Sequence, residues 1–157
     1  MGRIVVGVDG SKGSREALLW SIDEAALRGA SLEVIHTYDH HLSLQFYAGD
    51  ESVSTTAMDA MRQDIEIASR EAARSAQALV DRMVEGLSGC EIRSMAIESA
   101  RPAQTLVEHS RGADLLVVGS RGRGGFKSLM LGSVSQQCAQ HAECPVVIIR
   151  SKHDEQG

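Results

Sequence analysis

The sequence predicts an α/β domain: an open, five-stranded parallel sheet of order 3-2-1-4-5 with helices on both faces, Rossmann-like in plan. Three observations carry this. Four short apolar runs, at residues 4–8, 32–35, 115–118 and Val146–Ile149, are broken only by Gly7 and Glu33 and largely β-branched, which suits strands buried on both faces. Amphipathic helical stretches separate the strands and give a β-α alternation. The 157 residues, 43% apolar and 24% charged, have ordinary composition for one folded unit over residues 1–157.

The first strand, residues 4–8, runs into Asp9-Gly10-Ser11. Residues 14–28 read as a helix with Ala17, Leu18, Trp20, Ser21, Ile22 and Ala25 at mixed three and four spacings, stopped by Gly29. Such a helix is about 22 Å long, close to the ~20 Å of a six-residue strand, so it returns the chain to the start of a parallel neighbour. That neighbour is the run at 32–35. Residues 38–55, with His40, His41, Phe46 and Tyr47, form the one long irregular stretch and read as a mobile lid or partner contact.

A long helix over 56–87 carries Met58, Met61, Ile65, Ala68, Ala72, Ala76, Leu79 and Met83 along one face. Methionines at that spacing are expected as core filler. Residues 92–97 alternate, Ile92, Ser94 and Ala96 against Arg93, Met95 and Ile97, as in an edge strand with one exposed face. Pro102 opens a third helix at its first position, through Leu106 and Val107 to near Gly112. After the run at 115–118, Ser133–His141 reads as the last helix, closed by Cys144-Pro145 ahead of the final strand.

Charge and composition exclude several functions. Sixteen Lys and Arg against 21 Asp and Glu give a net charge of −5, unfavourable for a phosphate-backbone binder. Aromatic residues, at 3%, are too few for a single-strand stacking platform. No apolar run approaches the ~20 residues of a membrane span, and Asp9 arrives too early for a signal segment. Three cysteines, an odd number, suggest a reducing compartment, so a cytoplasmic location is expected.

In sheets of this kind ligands bind beyond the carboxyl ends of the strands, where the winding reverses, here between the first and fourth strands. Asp9 stands at the first of these ends. It reads equally as an acceptor for a ribose diol and as a turn or helix-capping residue. At the second, Gly119-x2-Gly122-x9-Gly132-Ser133 follows a buried strand and leads into a helix. Glycines let backbone approach phosphate oxygens, and Ser133, Val134 and Ser135 would offer the N–H groups of a helix N-terminus. Arg121, Arg123 and Lys127 add local positive charge.

Other templates fail. Gly124-Gly125-Phe126-Lys127-Ser128 does not space a Walker lysine, and no GxGxxG follows the first strand. Glu98 stands where a phosphorelay receiver would need aspartate. Cys138, His141 and Cys144 straddle a helix end with no fourth ligand nearby, so they read as a structural thiol and a surface histidine rather than a metal site. His36 reads as a core or rim residue, His109 lacks a serine or cysteine partner, and no catalytic residue is assigned.

The Gly119-x2-Gly122-x9-Gly132-Ser133 spacing, with the opening Ile4-Val5-Val6-Gly7-Val8-Asp9-Gly10-Ser11, Pro102-Ala103 and the Cys144 to Arg150 close, resembles the ATP-binding branch of the universal stress protein family over residues 3–150. The resemblance implies that Asp9, assisted by Gly119, binds the ribose hydroxyls and that Thr37 meets adenine through its backbone. It implies that Gly122, Gly132, Ser133, Val134 and Ser135 hold the phosphates of ATP, with magnesium or manganese alongside. It also implies a regulator of stress or dormancy, with a regulatory protein partner unidentified, that dimerises through its last strand. Edge physics agrees: in order 3-2-1-4-5, Val146–Ile149 is an apolar edge open to a two-fold copy of itself. A nucleotide-independent chaperone-like module and a slow ATPase are the alternative functions.

Overall fold

In the computed structural model, which describes residues 1–40, 54–123 and 130–151, the chain runs β1 (Arg3–Val8), α1 (Lys12–Arg28), β2 (Ser31–Tyr38), α2 (Thr55–Val84), β3 (Ile92–Glu98), α3 (Pro102–His109), β4 (Leu115–Gly119), α4 (Ser133–His141), β5 (Val146–Ile149). The five strands form one sheet of order β3-β2-β1-β4-β5, parallel throughout. This is the predicted architecture, with its winding reversal between β1 and β4.

The side-chain alternation of β1 divides the core. Ile4, Val6 and Val8 face α1 and α2 with Leu18, Ile22, Leu32, Val34 and Val117. Val5 faces α3 and α4 with Ile35, Leu106, Leu116, Val118 and Cys138. Complete burial of a side chain such as Leu18 or Leu116 stabilises the fold by about 1.5–3 kcal/mol each. Such burial on both sides explains why β1 and β4 read as continuous apolar runs.

Local chemistry sets the helix ends. Ser11 caps α1, its hydroxyl accepting from the Ser14 N–H at 3.2 Å, so the helix starts two residues earlier than the apolar pattern indicates. Gly29 ends it in the left-handed region, φ 63°, as expected. α3 ends at His109, short of Gly112, and at its end the Ser110 hydroxyl donates to the Val107 carbonyl at 2.9 Å.

Two expectations need correction. β3 is an edge strand, but neither of its faces is left bare: Ile92 and Ala96 pack against one cluster and Met95 and Ile97 against the other. The α2 stripe also divides. Ala76 and Val80 are buried and Met83 packs on the core. Met58, Met61 and Ile65 are only half-buried, since a helix of 30 residues, about 45 Å long, outruns the strands it covers. Most of the expected lid at 38–55 lies outside the described residues; Tyr38 belongs to β2 and the Ser54 hydroxyl caps α2 by accepting from the Ala57 N–H at 3.2 Å.

Candidate functional site

At the carboxyl ends of β1, β2 and β4 lies a cleft of about 370 Å³, within the range of small-ligand sites. All eight residues singled out in the sequence, Asp9, Thr37, Gly119, Gly122, Gly132, Ser133, Val134 and Ser135, line it. The sheet brings them together. Register pairs Val8 with His36 and Val6 with Val117, so the residues just beyond these strands share one rim.

Asp9 fits its reading as a turn residue and makes a second tie that the sequence did not indicate. One carboxylate oxygen accepts from the Ser11 N–H at 2.9 Å, within the β1–α1 corner. The other accepts from the Arg123 N–H at 3.0 Å, in the β4–α4 segment. A single side chain therefore ties both corners together. Burial pushes its carboxyl up, but hydrogen bonds from the Ser11 hydroxyl, the Ser11 and Arg123 N–H groups and the Ser14 hydroxyl outweigh that, and the net position is below the ordinary carboxylate value. Asp9 is therefore ionised at neutral pH.

The motif glycines are not equivalent. A Cβ on Gly122 would sit 2.5 Å from an Asp9 carboxylate oxygen, so this position must lack a side chain for the clamp to close. Gly119 backs onto Gly13, whose carbonyl carbon and oxygen would lie 3.2 Å from an added Cβ. Gly132 is different. It is the α4 N-cap with φ −73° and ψ 167°, open to any residue, and an added Cβ would meet nothing nearer than 3.4 Å. Among the described residues nothing demands glycine there.

Gly132 also leaves α4 without a side-chain cap. The first N–H groups of a helix have no intrahelical acceptor and carry the positive end of the dipole, and those of Ser133, Val134 and Ser135 stand at the cleft. The Ser135 hydroxyl is committed elsewhere, lying 3.0 Å from both the Ser120 and Gly132 carbonyl oxygens, to which it donates. Its buried side chain thus fixes the loop, and its backbone alone is available to a ligand.

Sequence reasoning missed the floor of the cleft: Gly7, Ile35, Pro102, Leu106 and Val118. These apolar residues read as core, and only the packing of α3 over β1 turns them into a pocket wall. Arg121 and Arg123 line the cleft as well, whereas Lys127 lies outside the described residues. His36 stays off the cleft lining, 3.0 Å from the Val8 carbonyl through Nδ1. Cys138 is fully buried. Among the described residues no group of three or more His, Cys, Asp or Glu is arranged to hold a metal ion.

The family model described as the universal stress protein family matches residues 1–150. A universal stress protein of Mycolicibacterium smegmatis is 33% identical over 155 residues, covering 95% of this chain and 46% of its own length. The chain spans about half the length of the curated relatives it matches. Among solved structures, the universal stress protein UspA from Lactobacillus plantarum shares the fold at a TM-score of 0.67 and 19% identity, over 95% of this chain and 97% of that one. The universal stress protein from Archaeoglobus fulgidus solved in complex with dAMP has a TM-score of 0.53 at 21% identity, over 95% and 98% of the two chains.

Proposed function

This chain belongs to the universal stress protein family, and on that premise we propose that it is an ATP-binding regulatory homodimer acting in stress response or dormancy. One observation carries the reading: Gly132, where no described residue demands glycine, stands at an uncapped helix N-terminus in the same cleft as the ionised Asp9. A phosphate approaching the α4 backbone gives that glycine a reason. The dAMP in the solved Archaeoglobus fulgidus protein supports an adenine nucleotide as the ligand.

In this reading adenine lies on the floor made by Ile35, Leu106 and Val118 and meets the Thr37 backbone. The ribose hydroxyls donate to Asp9 beside Gly119. The phosphates accept from the N–H groups of Gly122, Ser133, Val134 and Ser135, and Gly132, whose own N–H donates to the Ser120 carbonyl at 2.6 Å, leaves room for their approach. Magnesium or manganese would enter with the phosphates, since Asp9 is the one carboxylate on the cleft wall among the described residues.

Native mass spectrometry of the purified protein tests nucleotide and assembly together. The expected species is two chains carrying ATP or ADP, and Gly122→Ala, which drives a methyl against Asp9, abolishes the nucleotide mass. Protein that arrives empty and gives no heat with Mg-ATP in titration calorimetry refutes the reading.

A further inference from the structure

Across the face of the sheet that bears α3 and α4, the strands present Ile35 on β2 and Val118 on β4, with Gly7 on β1 between them; Gly7 pairs directly with Ile35. A row that is branched on either side is therefore bare in the middle, and all three residues line the cleft. Gly7 has no positive φ, so its backbone does not require glycine. Space does. An added Cβ would lie 2.6 Å and 3.1 Å from the two δ carbons of Leu106 on α3, with its γ carbon at 3.5 Å. Leu106 is 4% exposed and packed among Ala103, Leu116 and Cys138, which leaves the cleft as the direction in which it can yield.

From this we infer that Gly7 and Leu106 together are the specificity-determining pair of the cleft, setting the depth of the slot so that it admits a two-ring purine. The inference rests on the nucleotide reading above and adds to it which residues read the base. A methyl at position 7 takes the space in which Leu106 seats over Gly7 and pushes Leu106 up into the slot. A planar two-ring base then loses its seat, while a one-ring base, which needs less depth, loses little. Phosphate and ribose contacts are untouched, because Asp9 and α4 lie beyond the hollow.

Binding of AMP and CMP to the full chain by titration calorimetry provides the test. Gly7→Ala weakens AMP by about 10- to 200-fold, the range for one methyl group in an apolar pocket, and CMP by less than about threefold. Leu106→Val removes both δ carbons, so Gly7→Ala/Leu106→Val regains AMP binding to within about threefold of the wild type. Leu106→Phe, which fills the hollow from α3 with Gly7 intact, reproduces the selective loss and keeps the test open if Gly7→Ala does not fold. Equal AMP affinity in wild type and Gly7→Ala, an equal loss of AMP and CMP, or no recovery in the double variant overturns the inference. A wild type that binds neither nucleotide overturns the nucleotide reading beneath it.

Discussion

Asp9 serves two purposes with one carboxylate. Its oxygens hold the Ser11 and Arg123 N–H groups, and the same ionised group faces the cleft. Asp9→Asn turns one acceptor into a donor aimed at an N–H, and is expected to cost about 1.5–3 kcal/mol, the range for hydrogen bonds to a charged group; urea unfolding measures it. The pH dependence has a definite sign. A carboxyl whose native value lies below its ordinary 3.8 contributes stability that is complete above 3.8 and declines as the pH falls through the lowered native value. Thermal unfolding below pH 3.8 should therefore show a steeper loss in wild type than in Asp9→Ala; parallel curves would remove Asp9 from the clamp. Cys138 is a contrasting case. Burial, with Cys144 nearby, pushes its thiol up to about 11, and the thiolate is the reactive form. Iodoacetamide at neutral pH should leave Cys138 unmodified in the native protein and label it only after unfolding, as peptide mass spectrometry would record.

At the scale of elements, the two sheet edges are finished differently. On β3 the Gln77 side chain of α2 takes the place of a missing strand. Its Oε1 accepts from the Ala96 N–H at 2.9 Å, and its Nε2 donates to the Ser94 carbonyl at 3.5 Å and to Asp81 at 2.9 Å. Asp81 also accepts from the Ser94 hydroxyl at 2.8 Å. An edge plugged in this way resists pairing with another chain. Gln77→Leu, of similar volume, should speed hydrogen exchange at the Ala96 amide and cost about 1–2 kcal/mol. Unchanged exchange at Ala96 would mean the plug is ornamental. Nothing in the sequence marks Gln77 as an edge plug, because its partners on β3 lie 17 and 19 residues away and meet it only once α2 docks on β3.

For the molecule as a whole, the β5 edge and the cleft decide behaviour. The Pro145 and Ile149 carbonyls accept from Leu116 of β4 and from Ser120 just beyond it, at 3.0 and 2.8 Å, so strand alternation turns the N–H and C=O groups of Val146 and Ile148 toward the open edge. Proline is tolerated at a first strand residue whose N–H faces outward. If the proposed dimer forms through this edge, Val146→Pro should remain folded yet sediment as a monomer; a dimer that survives the change places the interface elsewhere. Nucleotide occupancy adds a second global readout. ATP at a hundred times its dissociation constant contributes about 2.7 kcal/mol, and at roughly 2–4 °C per kcal/mol for a chain of this size the melting temperature should rise by about 5–10 °C. A melt that ATP leaves in place would contradict the proposed site.

The strand runs and the glycine spacing were legible because each follows from local patterning: period, β-branching and chain punctuation act over a few residues. Asp9 was legible as a residue of consequence, but its double engagement was not, since Arg123 reaches it from 114 residues away. The slot was not legible at all. Gly7 looks like one more small residue in a strand, and Leu106 like one more core leucine, until the register sets Ile35 beside the first and the α3 docking sets the second above it. Pattern along a chain reports which side a residue faces; the depth of a cavity is a difference between surfaces contributed by distant segments, and only their packing fixes it.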